Sequence, residues 1–421
     1  MKHLLLFSLA LLLLGTGCNS GKTAQEENSA TPPKVQLTKD QDMELQQELL
    51  AFMKLLEFTR EHYVDENAVS YKKLFQGAMD GMLEHLDPYS RYQTPQNFSL
   101  SMDDTRGSFA GIGATIQKVD DGIKLTKIQK GSPAEKAGLK AGDILLSIDK
   151  TSLKDLSLED SIGKIRGKKG SAAILKVRRK NQPDKEYTVI RDIIKTPSIT
   201  HKGIIQKKIG YFRINQFTAT TADELDEYLK EYGKKIDRLI IDLRFNPGGQ
   251  LDVTVETLSR FLEKGLLVVS VEGRSEGVQR HEAISCKKYT HIPIVVLINE
   301  FSASASEIFA GCMKDYKRAV VIGEKSFGKG SVQRIYPMPD GGGARITIAK
   351  YYTPSRKVIH GKGIEPDVVV KLPEDDKKAM AEYLMEHDEE PLPVKTDSYT
   401  DKQLEKAIQI VLGLKEFHMI K

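Results

Sequence analysis

The chain has 421 residues, of which 40% are hydrophobic and 29% are charged, and its formal net charge is +5. This composition is ordinary for a folded protein of roughly two to four domains, and it excludes a wholly disordered chain, a collagen-like repeat and a polytopic membrane protein. The basic excess forms no long Lys/Arg block, so no nucleic-acid partner is indicated. Three cysteines without a C-x-x-C pair argue against a disulfide scaffold and against a zinc site.

Residues 1–17 are interpreted as a signal peptide. Lys2 precedes an apolar run from Leu4 to Leu14, which is too short to span a bilayer about 30 Å thick and matches the hydrophobic region of a secretory signal. Small residues then lead to Cys18, a pattern that resembles the lipobox of bacterial lipoproteins, although Gly15 stands where leucine is commoner. A plain secretory signal is the alternative. Both interpretations predict export, with residues 18–40 as a flexible tether.

Residues 41–105 form the predicted N-terminal helical region. Apolar residues recur at helical spacing over 41–61 and again over 68–86, where Asp87-Pro88 ends the pattern. We interpret these helices as a packing or dimerisation element. Together with a predicted C-terminal helix they could support a homo-oligomer.

Two further regions follow. In residues 106–194, glycine-rich turns separate five short β-type runs and two short helices, which predicts a compact partial barrel. In residues 195–372, buried-looking strands alternate with helices, which predicts an α/β layer with a mostly parallel sheet. The remaining residues, 373–421, are interpreted as a solvated acidic linker to residue 394 and a closing amphipathic helix over 401–414.

A candidate nucleophile lies where serines alternate with alanines, at Ser302, Ser304 and Ser306. The run follows a hydrophobic strand and opens a helix, so one hydroxyl can face the carboxyl edge of the sheet, where α/β folds place their sites. The structural alternative is helix capping, because Ser304 with Glu307 has the capping-box spacing.

The candidate base is Lys329, which has Gly328 and Gly330 on either side. Glycines weaken a strand unless the backbone has to approach another group closely. Burial would lower the pKa of this lysine and let it accept a serine proton, as in known Ser-Lys enzymes. A solvated lysine in a turn is the alternative, and a histidine base is another: His281, His291 and His360 are the candidates, although no G-x-S-x-G elbow is present.

The turn Asn246-Pro247-Gly248-Gly249 lies between a predicted strand and a predicted helix. Its two glycines allow backbone conformations in which amides converge on an anion, as an oxyanion hole requires. A simple tight turn would have the same sequence.

These segments belong to a longer ordered set of motifs. In chain order they are Leu86-Asp87-Pro88-Tyr89-Ser90, Phe109-Ala110-Gly111-Ile112-Gly113, Gly131-Ser132-Pro133-Ala134, Asp242-Leu243-Arg244 with Asn246-Pro247-Gly248-Gly249, Ser302-Ala303-Ser304-Ala305-Ser306-Glu307-Ile308, Phe327-Gly328-Lys329-Gly330-Ser331-Val332-Gln333 and Gly361-Lys362-Gly363-Ile364-Glu365-Pro366-Asp367. Over about residues 40–370 the chain resembles the carboxyl-terminal processing, or tail-specific, proteases. They are Ser-Lys serine peptidases with an inserted PDZ domain, and the resemblance implies a ClpP/crotonase-like α/β catalytic core.

The resemblance also implies site residues. Ser304 matches the nucleophile, Lys329 the general base and Gln333 the residue that orients the lysine. The amide of Ala305 and one amide of the turn, from Gly248 or Gly249, match the oxyanion donors. One departure from the family pattern is Phe245, where a polar residue is common beside the turn.

For the PDZ domain, the resemblance implies that Gly111, Ile112 and Gly113 hold the C-terminal carboxylate of a protein substrate, whose tail adds as a strand to the sheet edge. A PDZ fold used only as a scaffold is the alternative. Arg166 falls where related proteases have an arginine that couples the PDZ domain to the lysine-glutamine region.

The leading hypothesis is therefore an exported endopeptidase, periplasmic or on the outer surface, attached to the membrane through a lipid on Cys18 and requiring no cofactor or metal. A non-catalytic PDZ-type adaptor on a protease fold and a crotonase-like acyl-CoA enzyme are the competing hypotheses. The first is disfavoured by the intact Ser304, Lys329 and Gln333 set, and the second by the PDZ insertion and signal sequence. Cys286 and Cys312 are predicted to be free thiols, with a disulfide as the alternative.

Overall fold

The computed structural model describes residues 38–105, 108–284, 289–387 and 391–414. The predicted signal peptide, Cys18 and Cys286 lie outside the described residues. The chain divides into two compact units, residues 1–74 and 75–421. Within the described ranges, none of the helices combines the length and apolar character that crossing a membrane requires.

The N-terminal region is helical, as expected from its apolar spacing. Its elements are α1 Lys39–His62, α2 Tyr71–Glu84, β1 Arg91–Gln93 and α3 Pro95–Thr105. Thr38 and Gln41 form a capping box at the start of α1, and no residue of this helix is buried. Large apolar side chains of α1 are exposed, including Met43, Leu49, Leu50, Met53, Leu55 and Phe58. The homo-oligomer inferred from such helices stays a prediction.

The middle region is an antiparallel partial barrel with two helices. Its elements are β2 Ser108–Gly111, β3 Ala114–Val119, β4 Gly122–Ile128, α4 Pro133–Lys136, β5 Ile144–Ile148, β6 Thr151–Ser152, α5 Leu158–Ile165, β7 Ala172–Arg178, β8 Lys185–Ile190 and β9 Asp192–Lys195. The main sheet has the order β3-β4-β5-β7-β8, and β2 pairs with β9 separately. Strict alternation of buried and exposed residues along β7 shows one face packed on the core. The five predicted strands of this region correspond to β3, β4, β5, β7 and β8, whereas β2, β6 and β9 were not predicted.

The third region contains two sheets. Its elements are β10 Ile199–Ile205, β11 Ile209–Ile214, α6 Thr221–Tyr232, β12 Arg238–Asp242, α7 Leu251–Leu258, β13 Leu267–Gly273, β14 Gly277–Glu282, β15 Ile294–Ile298, α8 Ala305–Asp315, β16 Val320–Gly323, β17 Ser331–Pro337, β18 Gly343–Tyr352 and β19 Val368–Val369. The first sheet has the order β10-β11-β12-β15-β16-β19 and is parallel from β11 onward. The second, antiparallel sheet has the order β1-β18-β13-β14, with β17 also on β18.

The parallel sheet confirms the predicted α/β layer. Strands β11 and β15 are buried along their whole length, as expected when helices cover both faces of a parallel sheet. Because β12 and β15 are parallel neighbours, the segments that follow Asp242 and Ile298 leave the sheet at the same edge. These are the segments that carry the candidate oxyanion turn and the candidate nucleophile.

The C-terminal segment corrects the sequence analysis. The solvated linker that we predicted for residues 373–394 is wrong, because it contains α9 Glu374–Glu386, whose Met380 is 1% exposed and packs against Leu372 and Tyr399. Because acidic residues occupy the outer side of this helix, its buried face was not predicted from the sequence. The closing helix, α10 Lys402–Gly413, packs its apolar face on the parallel sheet through Leu404, Ala407 and Val411.

Candidate active site

Ser304 is the N-cap residue of α8 and has a strained backbone, with φ 55° and ψ −114°. Few residues other than glycine adopt this conformation, and where they do the strain usually accompanies a functional role. Gly248 makes the conformation possible, since a Cβ at that position would lie 2.7 Å from the Cβ of Ser304. Ser304 as a whole residue is 9% exposed. Strand β15, helix α8 and the Gly248 turn therefore fix the backbone of this serine.

Ser304 lies close to Tyr351, a residue that the sequence analysis did not consider. Burial raises the pKa of Tyr351 to about 12, and a hydrogen bond from Ser304 opposes that rise. The backbone N–H of Tyr351 donates to the carbonyl of Gly330 at 2.8 Å, so this tyrosine links the serine to the residue after Lys329. No motif in the sequence marks it, because Ser304 and Tyr351 are distant in sequence and meet only in the folded chain.

Lys329 lies half-buried beside Tyr89. Its Nζ is 5.1 Å from the centre of the Tyr89 ring, and Asp87 holds that segment by accepting from the backbone N–H groups of Tyr89 and Ser90 at 2.7 and 2.9 Å. Among the contacts of the described residues, none joins Lys329 Nζ directly to the Ser304 hydroxyl. The Leu86–Ser90 motif therefore supplies one wall of the lysine pocket, a role that its sequence did not reveal.

Glu307 joins the segments of the candidate nucleophile and the candidate base. It is fully buried, and its Oε2 accepts from the backbone N–H groups of Ser304 and Lys329, both at 2.8 Å. Its Oε1 accepts from the Ser326 hydroxyl at 2.5 Å and from the Gly328 N–H at 2.7 Å. Burial raises the pKa of Glu307, and these four hydrogen bonds oppose the rise. The predicted capping role is confirmed for the Ser304 amide, and the same carboxylate also holds the lysine loop.

The surroundings of Lys329 favour its neutral form. Burial lowers the pKa of Lys329, the positive charges of Arg345 and Arg91 lower it further, and the negative charges of Glu307 and Asp87 oppose them. Arg91 and Arg345 are cross-strand partners of β1 and β18. A lysine with a lowered pKa can act as a base near neutral pH.

The glycines beside Lys329 permit a close backbone approach, as predicted. A Cβ on Gly330 would lie 2.2 Å from the backbone N of His360. Gly328 has φ 93°, and its carbonyl accepts from the N–H of Gly361 at 2.9 Å.

Gln333 lies on β17, four residues after Lys329. Its Nε2 donates to the Ser331 hydroxyl at 2.8 Å and to the Thr347 hydroxyl at 3.1 Å. The described contacts of Gln333 do not include the Lys329 amine. The orienting role that the family resemblance implies for Gln333 therefore stays a prediction.

The candidate oxyanion turn faces the start of α8. A Cβ on Gly248 would lie 3.0 Å from the backbone N of Ala305, whereas a Cβ on Gly249 would meet the carbonyl of Phe217. Gly248 is thus the glycine beside Ser304, and its N–H donates to Asn246 Oδ1 at 2.8 Å. Ala305 is the first residue of α8, where amides have no acceptor within the helix.

Phe245, the departure from the family pattern, has φ 59° and stacks on Phe301 with 5.3 Å between ring centres. Its backbone N–H donates to Asn299 Oδ1 at 2.9 Å. This phenylalanine therefore connects the candidate oxyanion turn to the segment that precedes the serines.

The predicted carboxylate loop begins with Gly111, the last residue of β2, and ends directly before β3. Gly113 has φ 77°, and a Cβ there would lie 2.4 Å from the Cβ of Ser132. Ile112 is buried, and its carbonyl accepts from the N–H of Ala134 at 2.8 Å. The loop is thus packed on the start of α4, and any substitution of Gly113 would strain the domain itself.

Arg166 caps the C-terminal end of α5, and its guanidinium lies 4.0 Å from the centre of the Phe109 ring. It lines a cavity of about 470 Å³ together with Arg91 and Arg345, the two arginines that lower the pKa of Lys329. The predicted coupling between Arg166 and the lysine stays a prediction.

The histidines that were considered as alternative bases have other neighbours. Nδ1 of His281 is 4.0 Å from Asp252, and the ring of His360 is 6.3 Å from that of Tyr89. No described contact joins any histidine to Ser304.

Cys312 is a buried free cysteine, as predicted, and burial raises its pKa. The described part of the chain has no cluster of His, Cys, Asp and Glu that could hold a metal ion.

Three family models match the chain. The model of peptidase family S41 matches residues 208–370, a PDZ domain model matches residues 125–179, and the model of the activating protease CtpB N-terminal domain matches residues 12–96. The PDZ match lies inside the partial barrel, and the S41 match contains Ser304, Lys329 and Gln333.

Curated relatives agree with these models. The carboxy-terminal-processing protease of Bartonella bacilliformis is 38% identical over 349 residues, which are 81% of this chain and 79% of that protein. A Staphylococcus aureus protein named "Probable CtpA-like serine protease" is 39% identical over 304 residues, 72% of this chain. The aligned part spans only 61% of the length of that relative.

A solved structure from Bacteroides fragilis, assigned to the S41 proteases, covers 86% of this chain and 97% of its own, with a TM-score of 0.51 and 18% sequence identity. This likeness shows the fold alone. The matched models and the Bartonella relative together show that the chain belongs to the carboxy-terminal-processing proteases of peptidase family S41.

Proposed function

We propose that this chain is a serine endopeptidase that uses Ser304 as nucleophile and Lys329 as general base to cleave proteins near their C-terminal tails. The observation that carries the proposal is the buried carboxylate of Glu307, which binds the backbones of both residues at 2.8 Å. A bridge of this kind brings a strained serine and a lysine of lowered pKa to one site. Neither feature is needed for a binding module.

In the proposed reaction, neutral Lys329 Nζ takes the proton of the Ser304 hydroxyl as Oγ attacks the scissile carbonyl. The lysine then returns the proton to the departing amine, leaving an acyl-enzyme. Water, activated by the same lysine, hydrolyses the ester. The reaction requires the serine hydroxyl to point toward Lys329 Nζ.

The tetrahedral intermediates carry a negative charge on the former carbonyl oxygen. We assign its stabilisation to the amide of Ala305 and to an amide of the Gly248-Gly249 turn, because amides preorganised toward a developing charge need no reorganisation during the reaction. Gly248 is the better placed of the two, beside Ala305. Its amide would have to be shared with, or released by, Asn246 Oδ1, its present acceptor at 2.8 Å.

The PDZ domain is proposed to select the substrate. Amides of Gly111, Ile112 and Gly113 would hold the terminal carboxylate while the tail pairs with the neighbouring sheet edge. Binding energy at this remote site could then favour the cleaving arrangement. Arg166 is proposed to carry that effect, because it shares a cavity with Arg91 and Arg345.

The proposed location is outside the cytoplasm, on a bacterial membrane, with Cys18 as the lipidated residue. This part of the proposal is supported by the sequence of residues 1–18 alone.

The Ser304→Ala and Lys329→Ala variants are each expected to lose activity on an unfolded protein substrate by at least about 10³-fold. The double variant is expected to be no worse than either single variant, because the two residues act as a unit. Turnover is measured with and without EDTA, which should leave the wild-type rate unchanged. Full proteolysis by folded Lys329→Ala would rule out lysine as the base.

The pH dependence of kcat/KM tests the state of Lys329. The neutral fraction of a lysine grows with pH, so kcat/KM should rise through a pKa that lies below the ordinary value of about 10.4. Arg345→Gln removes a positive charge that lowers this pKa, and the rising limb should move to higher pH. Arg345→Lys keeps the charge and is the matched control. An unchanged profile in Arg345→Gln would contradict the assigned electrostatics.

Recognition of the substrate carboxylate is tested on the substrate, because substituting Gly113 strains the domain. Peptides that differ only in a free or an amidated C-terminus are compared at concentrations below KM. The free form should be cleaved several-fold faster, since an amide lacks the charge that the loop amides would bind. Equal rates would show that the PDZ domain does not read the carboxylate.

Cys18→Ala tests the anchor in cells that carry the full chain. The variant should appear in the soluble exported fraction, or remain unprocessed, whereas the wild type should sediment with membranes. Firm membrane attachment of a correctly cleaved Cys18→Ala protein would refute lipidation at this cysteine.

A further inference from the structure

The end of β12 carries a cluster of buried charges that includes a residue from the C-terminal segment. Asp242, Arg244, Asp401 and Gln403 are each 0% exposed. The first two belong to the Asp242-Leu243-Arg244 motif, whereas Asp401 and Gln403 lie beyond the S41 match, which ends at residue 370.

The guanidinium of Arg244 is held from both sides. Its Nη1 donates to Asp401 Oδ1 at 2.8 Å and to Gln403 Oε1 at 3.1 Å, and its Nη2 donates to Asp401 Oδ2 at 2.8 Å. On the opposite side, Nη2 donates to Asp242 Oδ2 at 2.6 Å and Nε to Asp242 Oδ1 at 3.0 Å. Paired, bidentate bonds of this kind fix both position and orientation of an arginine.

The cluster is balanced in charge only when Asp401 is present. Arg213, also buried, lies 3.9 Å from Asp242, so two carboxylates face two guanidinium groups. Burial opposes ionisation of Asp242, yet the charges and hydrogen bonds of Arg244, with the charge of Arg213, lower the pKa of Asp242 to about 2. Loss of the Asp401 charge would leave a net positive charge in a site that water does not reach, which is costly.

Leu243, the residue before Arg244, is hydrogen-bonded to the segment that carries the proposed nucleophile. The carbonyl of Leu243 accepts from the Ser302 hydroxyl at 2.8 Å and from the Asn246 N–H at 3.2 Å. The carbonyl of Asn246 in turn accepts from the Ala303 N–H at 3.0 Å and from the Ser306 hydroxyl at 3.0 Å. The carbonyls of Leu243 and Asn246 thus connect the segment of Arg244 to the residues on both sides of Ser304. A shift of Arg244 would therefore move these residues as well.

Asp401 is itself rigidly placed. Its Oδ1 also accepts from the N–H of Leu404 at 2.9 Å as the N-cap of α10, and its N–H donates to the carbonyl of Val394 at 2.7 Å. Gln403 Nε2 donates to the carbonyl of Val370 at 2.8 Å. Packing of α10 on the sheet therefore fixes the acceptors that hold Arg244.

We propose that Asp401, supported by Gln403, is a positioning residue for catalysis: it holds Arg244 and thereby sets the oxyanion turn against Ser304. The C-terminal segment is then part of the active-site architecture rather than an appendage. This inference rests on the proposed peptidase function, because its kinetic effect is on the cleavage step.

The test compares Asp401→Asn with Asp226→Asn in the full chain. Asparagine at 401 keeps the shape and the cap acceptor but replaces a charged acceptor of Arg244 by an amide. Asp226 pairs with Arg260 in a similar two-point manner, at 3.1 and 2.7 Å, between α6 and the segment after α7. Gln403→Met, which removes one acceptor at similar volume, serves if Asp401→Asn does not fold.

For folded Asp401→Asn we expect kcat on a short peptide to fall by about tenfold or more, with KM nearly unchanged, since a misplaced catalytic group costs transition-state stabilisation. Gln403→Met should show a smaller loss of the same kind. Asp226→Asn should match the wild type even if its thermal stability falls by the same amount. A wild-type kcat in Asp401→Asn, or equal losses in both aspartate variants, would overturn the proposal.

Hydrogen exchange gives a readout that does not depend on activity. Amides of residues 243–250 should exchange faster in Asp401→Asn than in wild type, and not in Asp226→Asn. Unchanged exchange in that segment would also overturn the proposal. An inactive wild type with the expected exchange pattern would instead count against the peptidase function and leave the positioning role supported.

Discussion

The carboxylate of Glu307 is the interaction on which the site depends. It accepts from Ser304 and Lys329 through one oxygen and from Ser326 and Gly328 through the other. Two chain segments that leave different parts of the sheet are thereby held at one buried point. Because all four donors are satisfied by a single side chain, neither segment can shift without leaving a buried polar group unpaired, which costs more than the bond itself contributes.

The buried ion pairs of Arg244 are a second constraint, and they lie next to the candidate oxyanion turn in the chain. Asp242 and Asp401 enclose Arg244, and the hydrogen bonds of Leu243 and Asn246 carry its position toward α8. The two arrangements are complementary. Glu307 holds the backbone of Ser304 against that of Lys329, and the Leu243 and Asn246 carbonyls beside Arg244 bind the serines around Ser304.

The electrostatics of the site come from charges that are far apart in sequence. Arg91 and Arg345 meet across β1 and β18 and together with burial lower the pKa of Lys329. Arg166 of the PDZ domain lines the same cavity. A change at that cavity therefore has a physical route to the proposed base, by charge, without a direct hydrogen bond to Lys329.

By itself the sequence determined the order of the domains, most strands of the PDZ region, the parallel layer, and the glycines that let the backbone approach at Gly248 and Gly330. These features follow from local hydrophobic periodicity and from turn chemistry, which act over a few residues. Its motifs also indicated the candidate serine and lysine.

Only the tertiary structure decided that α9 and α10 belong to the core, that Tyr89 and Tyr351 line the site, and that Asp401 holds Arg244. Each of these contacts joins residues distant in sequence; Arg244 and Asp401, for example, are 157 residues apart. The charge pattern of residues 373–394 led to a wrong prediction, because an acidic outer face of a helix does not indicate whether the opposite face packs against the core. A buried ion pair is invisible in the sequence of either partner, since its stability arises only when both leave water together.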